Sequence, residues 1–464
     1  MSDAGTPSIA ALRRSIATGA SSADEALALQ RAAFEHGAVV HRCVVERATD
    51  SRPVAHAPLS GIAMAHKDVF GTGLRAAGQG RPEGDVTSAA TSLPSAPLLR
   101  LSERGATYLG ALAMAEFACG ATAENPHFPV PLNPLDPVAA VGGSSSGSAV
   151  AVAAGLCRAS LGTDTAGSVR IPASTCGVIG FKPGAGVIDA GGVSQLAPSL
   201  DTVGVVARSV SDAAHVFAAL LPDEAPMAQR LLSLEGIEGD LSRHRRWRVA
   251  SALDQPDLRE DVASRLGAFE SRATSHAVAW RRSSLCGLDE LSCLAQIVLH
   301  VEAAATHSHS VRHALGSLAP ITQAILLPGW AVPAAWYRHA CEARSGWRDI
   351  FVAGHFAQAD VLLLPSLPRG VPDAQAVTTT SDRFDPRELM ALHRYHAFVN
   401  YLGLPSLSFP IGTDARGRPV CIQAIGAPGA EAELLAFGHQ FAAPTGAPSV
   451  PAARNVRRAG TLLH

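Results

Sequence analysis

Strand and helix patterns alternate along most of the chain, and this alternation restricts the fold more than any other feature. Short apolar segments at 60–66, 106–113 and 158–165 predict strands. Helical patterns at 97–105 and 148–156 separate them. Alternating strands and helices are typical of proteins in which helices cover a sheet. The sequence therefore predicts an α/β fold.

Composition excludes several classes of function. The chain is 47% hydrophobic and 17% charged, which is enough for a large core, and its net charge of −2 gives no basic signal for nucleic acid. No apolar run reaches the length of a membrane span. The eight cysteines are scattered without a C-x-x-C pair, and the first residues lack a secretory pattern. We therefore expect a cytoplasmic protein that binds neither nucleic acid nor membrane.

Lysine is almost absent from the chain. Of 38 basic residues apart from histidine, only Lys67 and Lys182 are lysines. Arginine supplies a surface charge equally well, but its guanidinium does not lose its proton, whereas a buried lysine titrates several pKa units lower than usual. Each lysine is therefore a candidate for proton chemistry.

Residues 142–182 contain two glycine- and serine-rich turns and two candidate serine nucleophiles. Ser145 stands at the centre of a G-x-S-x-G pattern, but the segment before it is rich in proline rather than a firm strand. Ser168 follows a predicted strand and the small residues Ala166 and Gly167. No phosphate-binding glycine motif is present.

The turn at Ser168 also offers groups for catalysis. Backbone N–H groups from Thr165 to Ser168 are placed to converge on a developing oxyanion. Asp164 and Arg170 flank this turn, and an ion pair or hydrogen bonds between them would stiffen it.

Several segments together resemble the amidase signature family of serine hydrolases. The segments are GIAMAHKDVF, GGSSSGSA, GTDTAGSVRIPAS, GVIGFKP and NYLGLPSLSFPIG, in the order and spacing of the family. The resemblance extends from about residue 60 to 440 and is weakest between 215 and 355. It implies the amidase-signature fold, a large mixed central β-sheet covered by helices on both faces.

The resemblance assigns catalytic roles. Ser168 matches the nucleophile, and Lys67 matches the general base. Ser144 matches the serine that bridges them, which in the family follows a cis peptide bond that Gly142 and Gly143 make easier. The implied reaction is hydrolysis of a carboxylic amide C–N bond through an acyl-enzyme, with release of ammonia or an amine. No cofactor and no metal are implied, although His307, His309 and His313 are close in sequence.

Two departures from the family pattern leave this triad intact. Ala166 stands where the family often has glycine, and Ser146 replaces a glycine of the first loop. Ser145 remains a supporting residue in this reading. Lys182, in the GFKP segment, is expected to be structural, by capping carbonyls or by pairing with an acid.

The substrate is less constrained than the chemistry. Plausible pocket residues are Trp330, Trp336, Arg344, His393 and His396. The family includes general amidases, ureide-type hydrolases and the glutaminase subunit of tRNA-dependent amidotransferases. That subunit uses an arginine, for which Arg344 could stand, and an acid, but 391–404 contain neither Asp nor Glu.

Alternatives to an autonomous amidase remain open. One is an esterase of the α/β-hydrolase type that uses Ser145, and another is a subunit that needs a partner. A homodimer is also open. A small-molecule amide is the expected ligand.

No feature forces a domain boundary. We therefore expect one domain over 1–464, with the signature core at about 60–215. A mainly helical region at about 287–350 would lie on the substrate side, and the C-terminal part of the core would occupy about 355–445.

Overall fold

An 11-stranded sheet forms the centre of the computed structural model, which describes residues 7–48, 54, 57–82, 93–243, 245–275, 277–285 and 287–443. The strands are β1 (Val44–Arg47), β2 (Ala63–Lys67), β3 (Thr107–Leu112), β4 (Ala159–Asp164), β5 (Ile179–Lys182), β6 (Thr202–Ala207), β7 (Trp247–Ser251), β8 (Ala277–Arg282), β9 (Val361–Pro365), β10 (Ser406–Thr413) and β11 (Pro419–Ile425).

The sheet is mixed, with the order β1-β3-β2-β4-β6-β5-β10-β11-β9-β7-β8. Its middle, from β4 to β9, is antiparallel. Parallel pairs flank this middle: β2 pairs with β3 and β4, and β7 pairs with β8 and β9. This order brings the end of β2, which carries Lys67, next to β4, which leads into the turn of Ser168.

Both faces of the central strands are covered. Every residue of β2, β4, β5, β6, β9 and β11 is buried, whereas a strand with one solvated face would alternate. In β2, Met64 packs into one hydrophobic cluster while Ala63 and Ala65 pack into another. Successive side chains of a strand point to opposite faces. The expected mixed sheet with helices on both faces is confirmed.

Seventeen α-helices surround the sheet in the described residues. They are α1 (Ile9–Ala17), α2 (Ala23–His41), α3 (Ala96–Glu103), α4 (Ser146–Ala153), α5 (Arg170–Thr175), α6 (Val210–Leu220), α7 (Pro226–Leu231), α8 (Gly236–Leu241), α9 (Glu260–Thr274), α10 (Leu288–Thr306), α11 (Ser308–Ala314), α12 (Pro320–Leu326), α13 (Ala334–Phe356), α14 (Ala374–Val377), α15 (Pro386–His393), α16 (Ala397–Tyr401) and α17 (Glu431–Phe441). Short 3₁₀ helices lie at Glu116–Ala118, Leu315–Ser317 and Leu327–Trp330.

The region at 287–350 is mainly helical, as the sequence predicts, and consists of α10 to α12 and most of α13. Among the described residues, no helix is long and apolar enough to cross a membrane. Seven cysteines are free thiols, while Cys286 lies outside the described residues, as do the last two positions of the predicted C-terminal core region. The single-domain assignment stays a prediction.

Candidate active site

Lys67 ends β2 inside the protein, with a side chain that has no exposed surface. Its Nζ lies 2.7 Å from Ser144 Oγ and 3.0 Å from Thr163 Oγ1. Burial lowers the pKa of Lys67 to about 7, and the negative charges of Asp201 and Asp164 oppose this shift. A substantial fraction of Lys67 is therefore a neutral amine at neutral pH, in contact with a hydroxyl.

The loop that carries Ser144 packs tightly against the segment around Thr122. The Gly143–Ser144 peptide bond is cis, as the resemblance implied, and Gly142 has a φ of +73°. A Cβ on Gly143 would lie 1.9 Å from the carbonyl oxygen of Thr122, so no larger residue fits there. The N–H of Ala115 donates to the Ser144 carbonyl at 3.2 Å. These contacts hold the Ser144 side chain toward Lys67.

Ser168 lies in the turn between β4 and α5 and is 8% exposed. Its carbonyl accepts a hydrogen bond from the N–H of Ser145 at 3.1 Å, so the serine loop and the Ser168 turn are joined directly. Ser168 also lines a large cavity, together with Thr165 and Ala166. Of the three predicted catalytic residues, it is the one open to a ligand.

Asp164 stabilises the turn of Ser168 through hydrogen bonds and an ion pair. Its carboxylate accepts from the N–H groups of Gly167 (2.8 Å) and Val169 (3.1 Å) and is paired with Arg170 at 2.8 Å. Burial alone would raise the pKa of Asp164, but Arg170 and the charge of Lys182 hold it well below its usual range. The stiffening that the sequence suggested for Asp164 and Arg170 is present.

Arg170 extends this network into the C-terminal half of the chain. The fully buried guanidinium donates to Asn400 Oδ1 at 2.6 Å and to Gln423 Oε1. The amide of Asn400 donates in turn to the Asp164 carbonyl at 2.7 Å. Such a satisfied network fixes one arrangement of a buried polar site.

The N–H groups proposed for the oxyanion hole differ in their partners. The Gly167 N–H is already donated to Asp164, so Thr165, Ala166 and Ser168 are the stronger candidates. Thr165 is held through its hydroxyl, which donates to Asp201 Oδ1 at 2.6 Å. Burial raises the pKa of Asp201 to about 6.

Gly167 meets a steric requirement of the same turn. It has a φ of +115°, and an added Cβ would lie 2.7 Å from the Cβ of His396. His396 is buried beneath this turn and does not line the cavity, and its Nε2 lies 3.4 Å from Ser366 Oγ. His396, which the sequence predicted for the pocket, therefore packs against the turn of Ser168 instead.

The cavity in front of Ser168 has a volume of about 800 Å³. Of the predicted pocket residues, His393 lines it. Trp330 and Trp336 lie elsewhere and are 49% and 58% exposed. Arg344 also lies outside, because it donates to the carbonyl and the hydroxyl of Ser199.

Ser145 is fully buried and does not line this cavity. Its hydroxyl donates to the Thr163 carbonyl at 3.3 Å. It precedes α4, but no strand leads into it, so the strand-turn-helix geometry of a nucleophile elbow is missing in this described part of the chain. The geometry does not favour an esterase that uses Ser145.

The cluster of histidines in the helical region is dispersed. His307 is buried and stacks on Phe117 at 4.3 Å between ring centroids, while His309 and His313 form a separate pair. Within the described residues, no group of three metal-ligating side chains comes together.

Sequence reasoning missed two kinds of functional residue. Thr163 contacts Lys67 and Asp201 contacts Thr165, but a lone threonine in a strand or aspartate in a loop gives no local signal. The cavity wall formed by α10 did have a signal, since its lining residues recur every three or four positions. These residues are Leu288, Asp289, Ser292, Cys293, Gln296, Leu299 and His300.

Comparisons with known proteins show the family of the chain. A family model described as Amidase matches residues 46–435. The chain is 32% identical over 417 residues to a glutamyl-tRNA(Gln) amidotransferase subunit of Synechococcus sp. (strain CC9311), covering 83% of each. It is 33% identical over 354 residues to the putative amidase AmiD of Mycobacterium tuberculosis (strain ATCC 25618 / H37Rv), covering 75% of this chain and 72% of that protein.

A solved structure described as an amidase is similar over 93% of this chain and 98% of its own, with a TM-score of 0.78 and 28% identity. The fold and these likenesses define the class as amide-hydrolysing enzymes built on a mixed α/β sheet. Within that class, the chain belongs to the amidase signature family. The family resemblance in its sequence is confirmed.

Proposed function

We propose that this protein is an amidohydrolase in which Ser168 forms the acyl-enzyme and Ser144 and Lys67 relay protons. The observation that carries the proposal is the 2.7 Å contact between Lys67 Nζ and Ser144 Oγ, both of them fully buried. Burial gives Lys67 a pKa of about 7, which suits a group that must both accept and return a proton at neutral pH.

In the first half of the reaction, neutral Lys67 accepts the proton of Ser144 while Ser144 accepts that of Ser168. The Ser168 oxygen attacks the amide carbonyl, and the N–H groups of the turn stabilise the negative oxygen that forms. The proton returns along the relay to the nitrogen. The C–N bond then breaks, ammonia or an amine leaves, and an ester remains on Ser168.

In the second half, water replaces the amine. Water gives a proton to the same relay and attacks the ester carbonyl, and the bond between the acyl group and Ser168 breaks as the proton returns to the serine. The sum is amide plus water giving a carboxylic acid plus ammonia or an amine. Every proton is supplied by water or the substrate, so the relay uses no co-reactant.

A glutaminase-type subunit of a tRNA-dependent amidotransferase is the second candidate, because of the relative from Synechococcus. Against it, Arg344 is engaged by Ser199 outside the cavity. The proposals separate on whether the isolated chain hydrolyses amides without a partner.

The test is ammonia release by the purified chain from small aliphatic amides, aryl amides, glutamine and urea derivatives. Ser168→Ala is the blank, and labelling by a fluorophosphonate identifies the nucleophile. We expect turnover and labelling that are both lost in Ser168→Ala but not in Ser145→Ala. Labelling that survives in Ser168→Ala would disprove the assignment of the nucleophile.

A further inference from the structure

The cavity that Ser168 lines is long, because residues of one helix line it over several turns. Its lining includes residues of α10 from Leu288 to His300. An α-helix rises 1.5 Å per residue, so these twelve steps span about 18 Å. A volume of about 800 Å³ lies in the range that encloses a drug-sized ligand. Acetamide or glutamine would leave most of this space empty.

Apolar side chains form much of the cavity wall. The cavity that Ser168 lines is also lined by α5, by the segment after β3, by α12 and by α10. The apolar lining residues from these elements include Ala118, Ala121, Ile171, Leu299, Ile321 and Ile325. Such a wall stabilises a ligand in proportion to the apolar surface that the ligand buries.

Two polar side chains that line the cavity, Gln296 and His393, are uncharged at neutral pH. Gln296 carries an uncharged amide, and burial lowers the pKa of His393 to about 4, so its imidazole is uncharged at neutral pH.

The charged lining residues are confined to exposed positions. Asp257, Asp289, Arg387 and Arg394 are all exposed to solvent, and the two signs balance. In the described lining, therefore, aspartate and arginine offer a charged ligand group a partner only at solvent-exposed positions. Transfer of an unpaired charge into such a site is strongly unfavourable.

We propose that the substrate is an uncharged amide with an apolar alkyl or aryl group long enough to occupy the cavity along α10. This inference rests on the proposed function and names the substrate class of the same site. It excludes amides whose far end is a carboxylate or an ammonium, glutamine among them.

The first test compares matched amides. Primary amides from acetamide to decanamide measure the effect of length. Amides of equal length that end in methyl, carboxylate or ammonium measure the effect of charge. Both series are repeated with the chain on the amide nitrogen. In one of the two arrangements, with the chain on the acyl side or on the amide nitrogen, we expect kcat/KM to rise with length. The rise should be about fourfold per methylene, equivalent to about 0.8 kcal/mol. In that arrangement kcat/KM for the amide that ends in methyl should exceed kcat/KM for either charged amide by about 100-fold or more.

A charge placed inside the cavity should reverse this preference. Gln296→Arg should raise the ratio of kcat/KM for the carboxylate end over the methyl end by tenfold or more. Gln296→Glu should do the same for the ammonium end. Ala305→Arg and Ala305→Glu are matched controls, because Ala305 is exposed on the same helix and does not line the cavity. These controls should leave both ratios unchanged.

Several outcomes would overturn the substrate inference while Ser168 is still labelled by the fluorophosphonate. One is turnover of charged amides that equals or exceeds that of neutral ones, and another is a kcat/KM that does not rise with chain length. The others are no turnover of any neutral amide in either series, and kcat/KM ratios that do not change when a charge is placed at position 296. Loss of labelling at Ser168 is a different failure, since it disproves the proposed function itself.

Discussion

Lys67 and Lys182 are buried equally deeply, yet they meet different partners. Neither has exposed surface, and burial lowers the pKa of each to about 7. Lys67 Nζ contacts the hydroxyls of Ser144 and Thr163, whereas Lys182 Nζ donates to the carbonyl of Pro183 at 2.8 Å. A carbonyl has no proton to give, so Lys182 has no acid to deprotonate at this contact.

The difference shows that a shifted pKa does not by itself identify a base. Burial makes an amine able to lose its proton, but catalysis also needs a proton donor in reach and a route from that donor to a ligand. Lys67 has the donor in reach, since its Nζ contacts Ser144, and the N–H of Ser145 bonds the same loop to the carbonyl of Ser168. The proton route from Ser144 to Ser168 is part of the proposed function. The expected structural role of Lys182 fits its carbonyl contact and stays a prediction.

The largest expected effect is the difference in activity between substitutions of Lys67 and of Lys182. Lys67→Arg and Lys67→Ala should both lower kcat by about 10³-fold or more, because neither replacement accepts a proton at neutral pH. Lys182→Met should keep activity within about tenfold. Steady-state kinetics on the best amide measures both. Substantial activity in Lys67→Arg, with the protein folded, would exclude lysine as the base.

Asp164, whose charge raises the pKa of both lysines, should also stabilise the fold. Asp164→Asn leaves the buried Arg170 without its counter-charge, so we expect a loss of about 3–5 kcal/mol in the free energy of unfolding. Urea denaturation measures this value. As a control, Asp223→Asn removes an acid that pairs with arginines at the exposed surface, and its stability should hardly change. Equal effects at the two positions would contradict the structural role of Asp164.

The pH dependence of kcat/KM should follow one lysine and ignore the other. In the proposed mechanism Lys67 acts as a neutral amine, and its pKa is about 7, so the rate should fall tenfold per unit below pH 7 and level off above pH 8. Lys182→Met should keep the same acid limb. A limb that disappears in Lys182→Met would transfer the titration to the second lysine.

The free energy of unfolding should depend on pH through Lys182 above pH 7, whereas the rate changes below pH 7. Its pKa is about 7 in the folded chain and about 10.4 in the unfolded chain, so the unfolded state binds more protons between these values. Burial of the lysine thus destabilises the fold fully below pH 7 and less as pH rises. The stability gained by Lys182→Met should shrink by up to about 1.4 kcal/mol per unit from pH 7 to 10. Parallel stability curves would contradict a buried, titrating Lys182.

The smallest expected effect concerns the second hydroxyl beside Lys67. Thr163→Val removes an acceptor that favours the charged amine, so the pKa of Lys67 should fall further. The acid limb of the rate profile should then move to lower pH by less than one unit. Ser160→Ala, in the same strand but bonded to Ser148, is the matched control and should not move it.

The sequence predicts the elements of the sheet better than the cavity. Contiguous patterns predicted β4 to within a residue at each end and placed Ser168 in the turn that follows it. The contact of Lys67 with Ser144 joins positions 77 apart, which only the family resemblance anticipated. Strand order brings them together, and no local pattern encodes it.

The cavity walls depend on how helices pack, so side-chain chemistry alone misled the prediction. Trp330 is a natural pocket residue by type, but its ring is half exposed beside Arg312. Arg344 carries the charge of a carboxylate receptor, yet it is used in a contact with Ser199. Gln296, which does face the cavity, gave no chemical signal.

The bonds of Arg170 to Asn400 and Gln423 have a consequence for synthesis of the protein. The ribosome adds about 5–20 residues per second, so Gln423, which lies 253 positions after Arg170, is made about 13–50 s later. Until Asn400 is made, 230 positions after Arg170, the guanidinium lacks both of these acceptors, and for the rest of the interval it lacks Gln423. A nascent chain therefore carries Ser168 and Arg170 long before the buried hydrogen bonds of Arg170 are complete.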